Sequence, residues 1–121
     1  DVLGIMNTIP NVSAAVFRKP GDCRELDVSS QFHYSGDWMF YLQRALTGKI
    51  AYVHGEYARH RRHRLSVMAS DNGSRSNMLL CELRRIHSLV KARLPMPEKT
   101  LAKMKVFEDS LSQLDRSRRQ A

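Results

Sequence analysis

Apolar positions recur along this chain with two different periods, and each change of period marks a new element. From Asp37 to Leu46, the residues Trp38, Tyr41, Leu42, Ala45 and Leu46 fall three and four apart, which places them on one side of a helix. Gly48 supplies a C′ stop. Asp37 is then an N-cap or first-turn residue, where free backbone N–H groups and the helix dipole favour a negative charge. A longer helical pattern begins after Ser70-Asp71-Asn72-Gly73. Leu79, Leu83, Ile86, Val90 and Leu94 form its apolar stripe, with Arg84, Arg85, His87, Lys91 and Arg93 on its polar face. Pro95-Met96-Pro97 ends it. Pro97 suits the first position of a following helix with Glu98 in its first turn. Leu101, Met104, Phe107, Leu111 and Leu114 give that helix its own stripe. The two helices predict a hairpin folded back on the rest of the domain, with both stripes spent on core.

Elsewhere the chemistry is that of strands and turns. Pro10 pushes Ile9 toward an extended conformation. Asn11 to Phe17 predicts a short strand, closed by Arg18-Lys19-Pro20-Gly21. Its middle, Ser13-Ala14-Ala15, is small enough to admit a ligand, and tight packing under a helix explains it equally well. Residues 20–34 are loop-like. Gly48-Lys49-Ile50-Ala51-Tyr52-Val53 restarts strand chemistry, His54-Gly55-Glu56 breaks it, and a second extended piece starts at Tyr57. The organisation expected is a half over 1–70 and a helical hairpin over 71–121.

At 121 residues the chain is sized for one domain with a modest core. Its 42% hydrophobic and 26% charged residues exclude a disordered polymer. No apolar run approaches the ~20 residues of a membrane span. The opening Asp1-Val2-Leu3-Gly4 has no basic leader region and no initiator Met, so a piece of a longer protein is expected. Cys23 and Cys81 stand apart from each other and from ligand-spaced histidines, which predicts free thiols. The net charge of +8 favours polyanionic partners, whether nucleic acid, a membrane surface or a diphosphate. Four of the basic residues are Arg59, Arg61, Arg62 and Arg64, interleaved with His60 and His63. This cluster is a solvated loop, or it holds phosphate by bidentate hydrogen bonds with an imidazole free to ligate a metal.

Three segments occur together in one order. They are Pro10-Asn11-Val12-Ser13-Ala14-Ala15-Val16-Phe17-Arg18, then Gly36-Asp37-Trp38-Met39-Phe40-Tyr41 leading to Gly48-Lys49-Ile50-Ala51-Tyr52-Val53, then Arg61-Arg62-His63-Arg64-Leu65-Ser66-Val67. Over about residues 7 to 70 the chain resembles the C-terminal half of a bacterial family-two glycosyltransferase, an inverting enzyme of the GT-A fold used in cell-wall or polysaccharide synthesis. The resemblance implies an α/β fold, or α+β for the fragment alone, with a few short strands, one central helix and the C-terminal hairpin. It makes Asp37 the general base on the acceptor hydroxyl. It gives Asn11, Ser13 and Trp38 to the sugar, with Tyr41 divided between sugar site and core. Arg61 or Arg62 would offset charge on the leaving diphosphate, and His63 would help hold a divalent metal, Mg or Mn, in the complete enzyme. The chain departs from the family in having no DxD motif and no nucleotide-binding half. It is therefore expected to be inactive and metal-free alone, and to need the missing N-terminal half. Uncovered sheet edges would invite a homodimer. The expected location is the cytoplasm, at the inner face of the membrane. A basic binding module for nucleic acid or an anionic surface is the alternative, weakened by the absence of stacking aromatics beside the arginines. A non-catalytic remnant of the enzyme is the third reading.

Overall fold

The computed structural model describes residues 2–9, 11–19, 21–57, 59 and 73–119. Five α-helices are present among them: α1 Val2–Ile5, α2 Arg24–Ser29, α3 Gly36–Thr47, α4 Gly73–Arg93 and α5 Glu98–Arg119, with one 3₁₀ turn at Val12–Ala14. The chain divides into two compact units, Asn7–Arg62 and Asp1–Met6 with His63–Ala121. No helix among the described residues is long and apolar enough to cross a membrane.

The expected α/β fold is overturned: no strand occurs among the described residues. At Asn11–Phe17, local hydrogen bonds win over strand propensity. Ala14 N donates to Asn11 O at 3.1 Å and Ala15 N to Val12 O at 3.3 Å, closing the 3₁₀ turn. The Ser13 hydroxyl donates to Asn11 Oδ1 and holds the turn from the side-chain side. At Gly48–Val53 the apolar run is irregular and exposed, with Tyr52 86% open to solvent. A strand takes its backbone hydrogen bonds from a neighbour, so a short run without one gains nothing from its propensity. Gly55, at φ +148, bends the chain beyond it, in a conformation that favours glycine. Of the second extended piece, Tyr57 and Arg59 are described and the remainder lies outside the described residues.

In the unit Asn7–Arg62, α2 packs on α3. The stretch 20–34 was expected to be loop, yet α2 forms within it. Leu26 N and Asp27 N both bond to the Cys23 carbonyl, at 2.9 and 3.0 Å, and Asp22 Oδ1 accepts from Arg24 N at 3.0 Å. The approach of the two helices is close at Gly36. A Cβ built there would lie 2.8 Å from the Ser29 carbonyl oxygen, a backbone atom that cannot step aside. Trp38, Met39, Tyr41 and Leu42 of α3 are buried, as is Phe32 before it. Gln43 is buried too, and its side-chain amide donates to Ser29 Oγ at 3.2 Å and Met39 O at 3.4 Å. α3 ends at Thr47 with Gly48 extended, at φ −149 and ψ −169, so the glycine stops the helix without a left-handed turn.

In the other unit, α4 and α5 form a hairpin, and α1 packs against both. Leu83, Ile86 and Val90 of α4 and Met104 of α5 are fully or nearly fully buried, which places the middle of the α4 stripe and Met104 in the core, while Leu94 and Leu101 at the linker end are exposed. Gly4 of α1 faces Val90 and Met96: a Cβ there would make ordinary contacts of 3.5 and 3.6 Å with them. Pro97 stands one residue earlier than its expected place. Its carbonyl accepts from Thr100 N at 2.8 Å and Leu101 N at 3.1 Å, which makes it the N-cap of α5. His87, expected on the polar face, is a core residue.

Candidate functional site

The acid singled out by the sequence sits in the first turn of α3, half-buried. Ser35 is the N-cap residue, and its carbonyl accepts from Met39 N at 3.0 Å while its side chain makes no cap. Asp37 turns back on its own helix, and its Oδ1 accepts from Trp38 N at 2.6 Å. An unpaired N-terminal amide is thereby satisfied and the carboxylate is fixed in direction.

Tyr41 lies one helical turn further on, on the same face, and helical side chains lean toward the N-terminus. Its hydroxyl is buried and makes no hydrogen bond to any described group. Burial pushes the phenol pKa up from its ordinary value, and the negative charge of Asp37 adds to the rise. The phenol ring is covered by Phe17, stacked on it at 5.6 Å between centroids. Phe17 also meets Phe40 edge-on at 5.1 Å. These aromatic contacts bring Phe17, four residues beyond Ser13, onto the helix that carries Asp37.

Of the residues expected at the site, Asp37 has a partly open carboxylate. Asn11 is half-buried and Ser13 exposed, bonded to each other. Trp38 is buried in the core of its unit, so its backbone N–H, which holds Asp37, is its contribution to the site. Arg61, Arg62 and His63 lie outside the described residues. Among the described residues no three His, Cys, Asp or Glu side chains converge to hold a metal. Cys23 and Cys81 are free and exposed.

Two features went unnoticed in the sequence. The Tyr41 hydroxyl had a signal, its four-residue spacing from Asp37. The second is a buried polar link in the hairpin unit. His87 Nε2 lies 2.9 Å from the Ile5 carbonyl oxygen and Nδ1 lies 2.6 Å from Glu108 Oε1. A carbonyl oxygen only accepts, so Nε2 carries a hydrogen. Arg84 Nε stands 3.9 Å from the other Glu108 oxygen. This link joins α1, α4 and α5 and is structural. Compared with known proteins, the chain matches no protein-family model, and no curated protein or solved structure is significantly similar to it.

Proposed function

We propose that this chain is the acceptor-side part of an inverting glycosyltransferase, with Asp37 as its general base. The observation that carries the reading is the seat of Asp37. It is a half-open carboxylate held by Trp38 N–H, on a helix against which Phe17, of the same segment as Asn11 and Ser13, is packed. That meeting joins two of the three segments on which the family resemblance rests.

In this reading an acceptor hydroxyl donates to Asp37 Oδ2, since Oδ1 is already engaged by the amide. The acceptor oxygen attacks the anomeric carbon from the side opposite the leaving group. The bond to the diphosphate breaks, the configuration inverts, and the proton remains on Asp37. The base need only be well placed, because the donor carbon is activated by its leaving group. Asn11 and Ser13 border the donor sugar, and Arg61 and Arg62 offset charge on the departing diphosphate. The nucleotide is bound by the half of the enzyme that this chain lacks. In this reading the reaction takes place in the cytoplasm, at the inner face of the membrane.

The test is Asp37→Asn in the complete enzyme, assayed with a panel of uridine, guanosine and thymidine diphosphate sugars. Transfer should fall by about 10²–10⁴-fold, the range for loss of a general base, with donor binding and helical content kept. Transfer within tenfold of wild type would remove Asp37 from the role. A wild-type enzyme that transfers no sugar from any donor would remove the whole class.

A further inference from the structure

The linker end of the α4–α5 hairpin joins exposed apolar side chains to a ring of cations. The stripe of α4 continues one turn beyond the buried Val90 to Leu94, and that of α5 starts at Leu101, before the buried Met104. Leu94 and Leu101 are 41% and 38% exposed. α1 runs from this end, where Gly4 faces Val90 and Met96, toward His87, which holds the Ile5 carbonyl. Lys91 and Arg93 in the last turn of α4, and Lys99 and Lys103 at the start of α5, are all exposed. Glu98 is the single acid between residues 89 and 103, so four cations face one anion. Among the described residues none of the four is engaged in an ion pair.

The linker backbone is also suited to a medium poor in water. Leu94 N is already bonded to Val90 O at 3.0 Å, and Pro95 and Pro97 have no N–H. Met96 alone of the four linker residues adds an amide to be satisfied.

We propose that this end of the hairpin docks on an anionic phospholipid bilayer. Leu94 and Leu101 enter the boundary between headgroups and acyl chains, while Lys91, Arg93, Lys99 and Lys103 pair with lipid phosphates. Charge complementarity selects this occupant: cations around an apolar centre match anionic headgroups above acyl chains. A nucleic-acid backbone would use the cations and leave the leucines in water. The inference stands apart from the sugar-transfer reading and does not depend on it.

The intact chain is tested by co-sedimentation with vesicles of phosphatidylcholine alone, or with about one third phosphatidylglycerol, at low and raised salt. Wild type should sediment with the anionic vesicles, stay in solution with the neutral ones, and release as salt rises. The double variant Leu94→Ser, Leu101→Ser should bind at least about thirtyfold more weakly, and Lys91→Gln with Lys99→Gln about thirtyfold, by the usual weight of two buried leucines and of two surface cations. Arg116→Gln, at the far end of α5, should change little. Leu94→Trp gives a second measurement in a fully folded chain: its emission should shift to the blue on addition of anionic vesicles. Absence of binding to anionic vesicles overturns the proposal. So does binding that the serine variant leaves unchanged, or preferential capture by duplex DNA.

Discussion

Replacing His87 with alanine tests the packing of the hairpin unit at its most constrained point. The imidazole is 1% exposed and holds α1 and α5 at once. Alanine would strand the Ile5 carbonyl, in a residue 8% exposed, at about 1–3 kcal/mol for a buried acceptor left without a donor. Glu108 loses a 2.6 Å partner but keeps a side chain 21% exposed and Arg84 nearby, so its share is about 1 kcal/mol. The vacated volume adds about 1–2 kcal/mol. The sum, about 3–6 kcal/mol, is a large fraction of the ~5–15 kcal/mol that holds a protein of this kind folded. His87→Gln keeps one donor in reach of Ile5 O and should lose about half as much. Urea unfolding followed by far-ultraviolet circular dichroism reads the change, provided the denaturant slope is unaltered. A double-mutant cycle with Glu108→Ala isolates the pair, for which a coupling of about 1–2 kcal/mol is expected. A loss below about 1 kcal/mol for His87→Ala, or a coupling near zero, would refute the account of His87 as the link between α1, α4 and α5.

Four further outcomes follow from the packing. Gly36→Ala should destabilise by about 1–3 kcal/mol, because its Cβ would sit 2.8 Å from the Ser29 carbonyl. A melt followed by the fluorescence of Trp38, the single tryptophan, that is unchanged or raised, as an unhindered helical alanine would give, refutes the close approach. Tyr41→Phe should leave stability unchanged or raise it by about 1 kcal/mol, since the hydroxyl makes no bond, and a larger loss in urea would reveal a partner. The raised phenol pKa has a definite sign. Its contribution is whole below the unfolded phenol's value of about 10, and is lost as pH rises through the folded value. Absorbance titration should therefore find one of the four tyrosines ionising late, and Asp37→Asn should bring it only part of the way back, because burial is the larger cause. Ile86→Ala, at a fully buried site, should cost about 2–5 kcal/mol in the same urea assay.

What could be foreseen in the sequence follows the length over which a pattern repeats. α3, α4 and α5 were visible because their apolar stripes persist for three turns or more. α1 and α2, with four and six residues, are too short for any period to register. The strands were misjudged because Ile50-Ala51-Tyr52-Val53 has the right chemistry but no neighbour among the described residues, and pairing is not written in one segment. His87 was misplaced by its polarity, although it lies four residues after Leu83 and three before Val90, on the flank of the stripe. The helix-mouth position of Asp37 was legible from its neighbours. Its engagement by Trp38 N and the uncapped state of Ser35 were not, because both depend on side-chain torsions that no pattern of residue types specifies.

The contact at Gly36 ties the seat of the acid to a modest support. α2 has six residues, and its Leu26 is half exposed, yet its final carbonyl is what the first turn of α3 leans on. α4 and α5, at 21 and 22 residues, dominate the helical signal of the chain. On warming, the shelf beneath Asp37 would therefore give way while the bulk spectrum still reports an intact protein, and any chemistry that uses the acid would vanish before a melting curve registers damage.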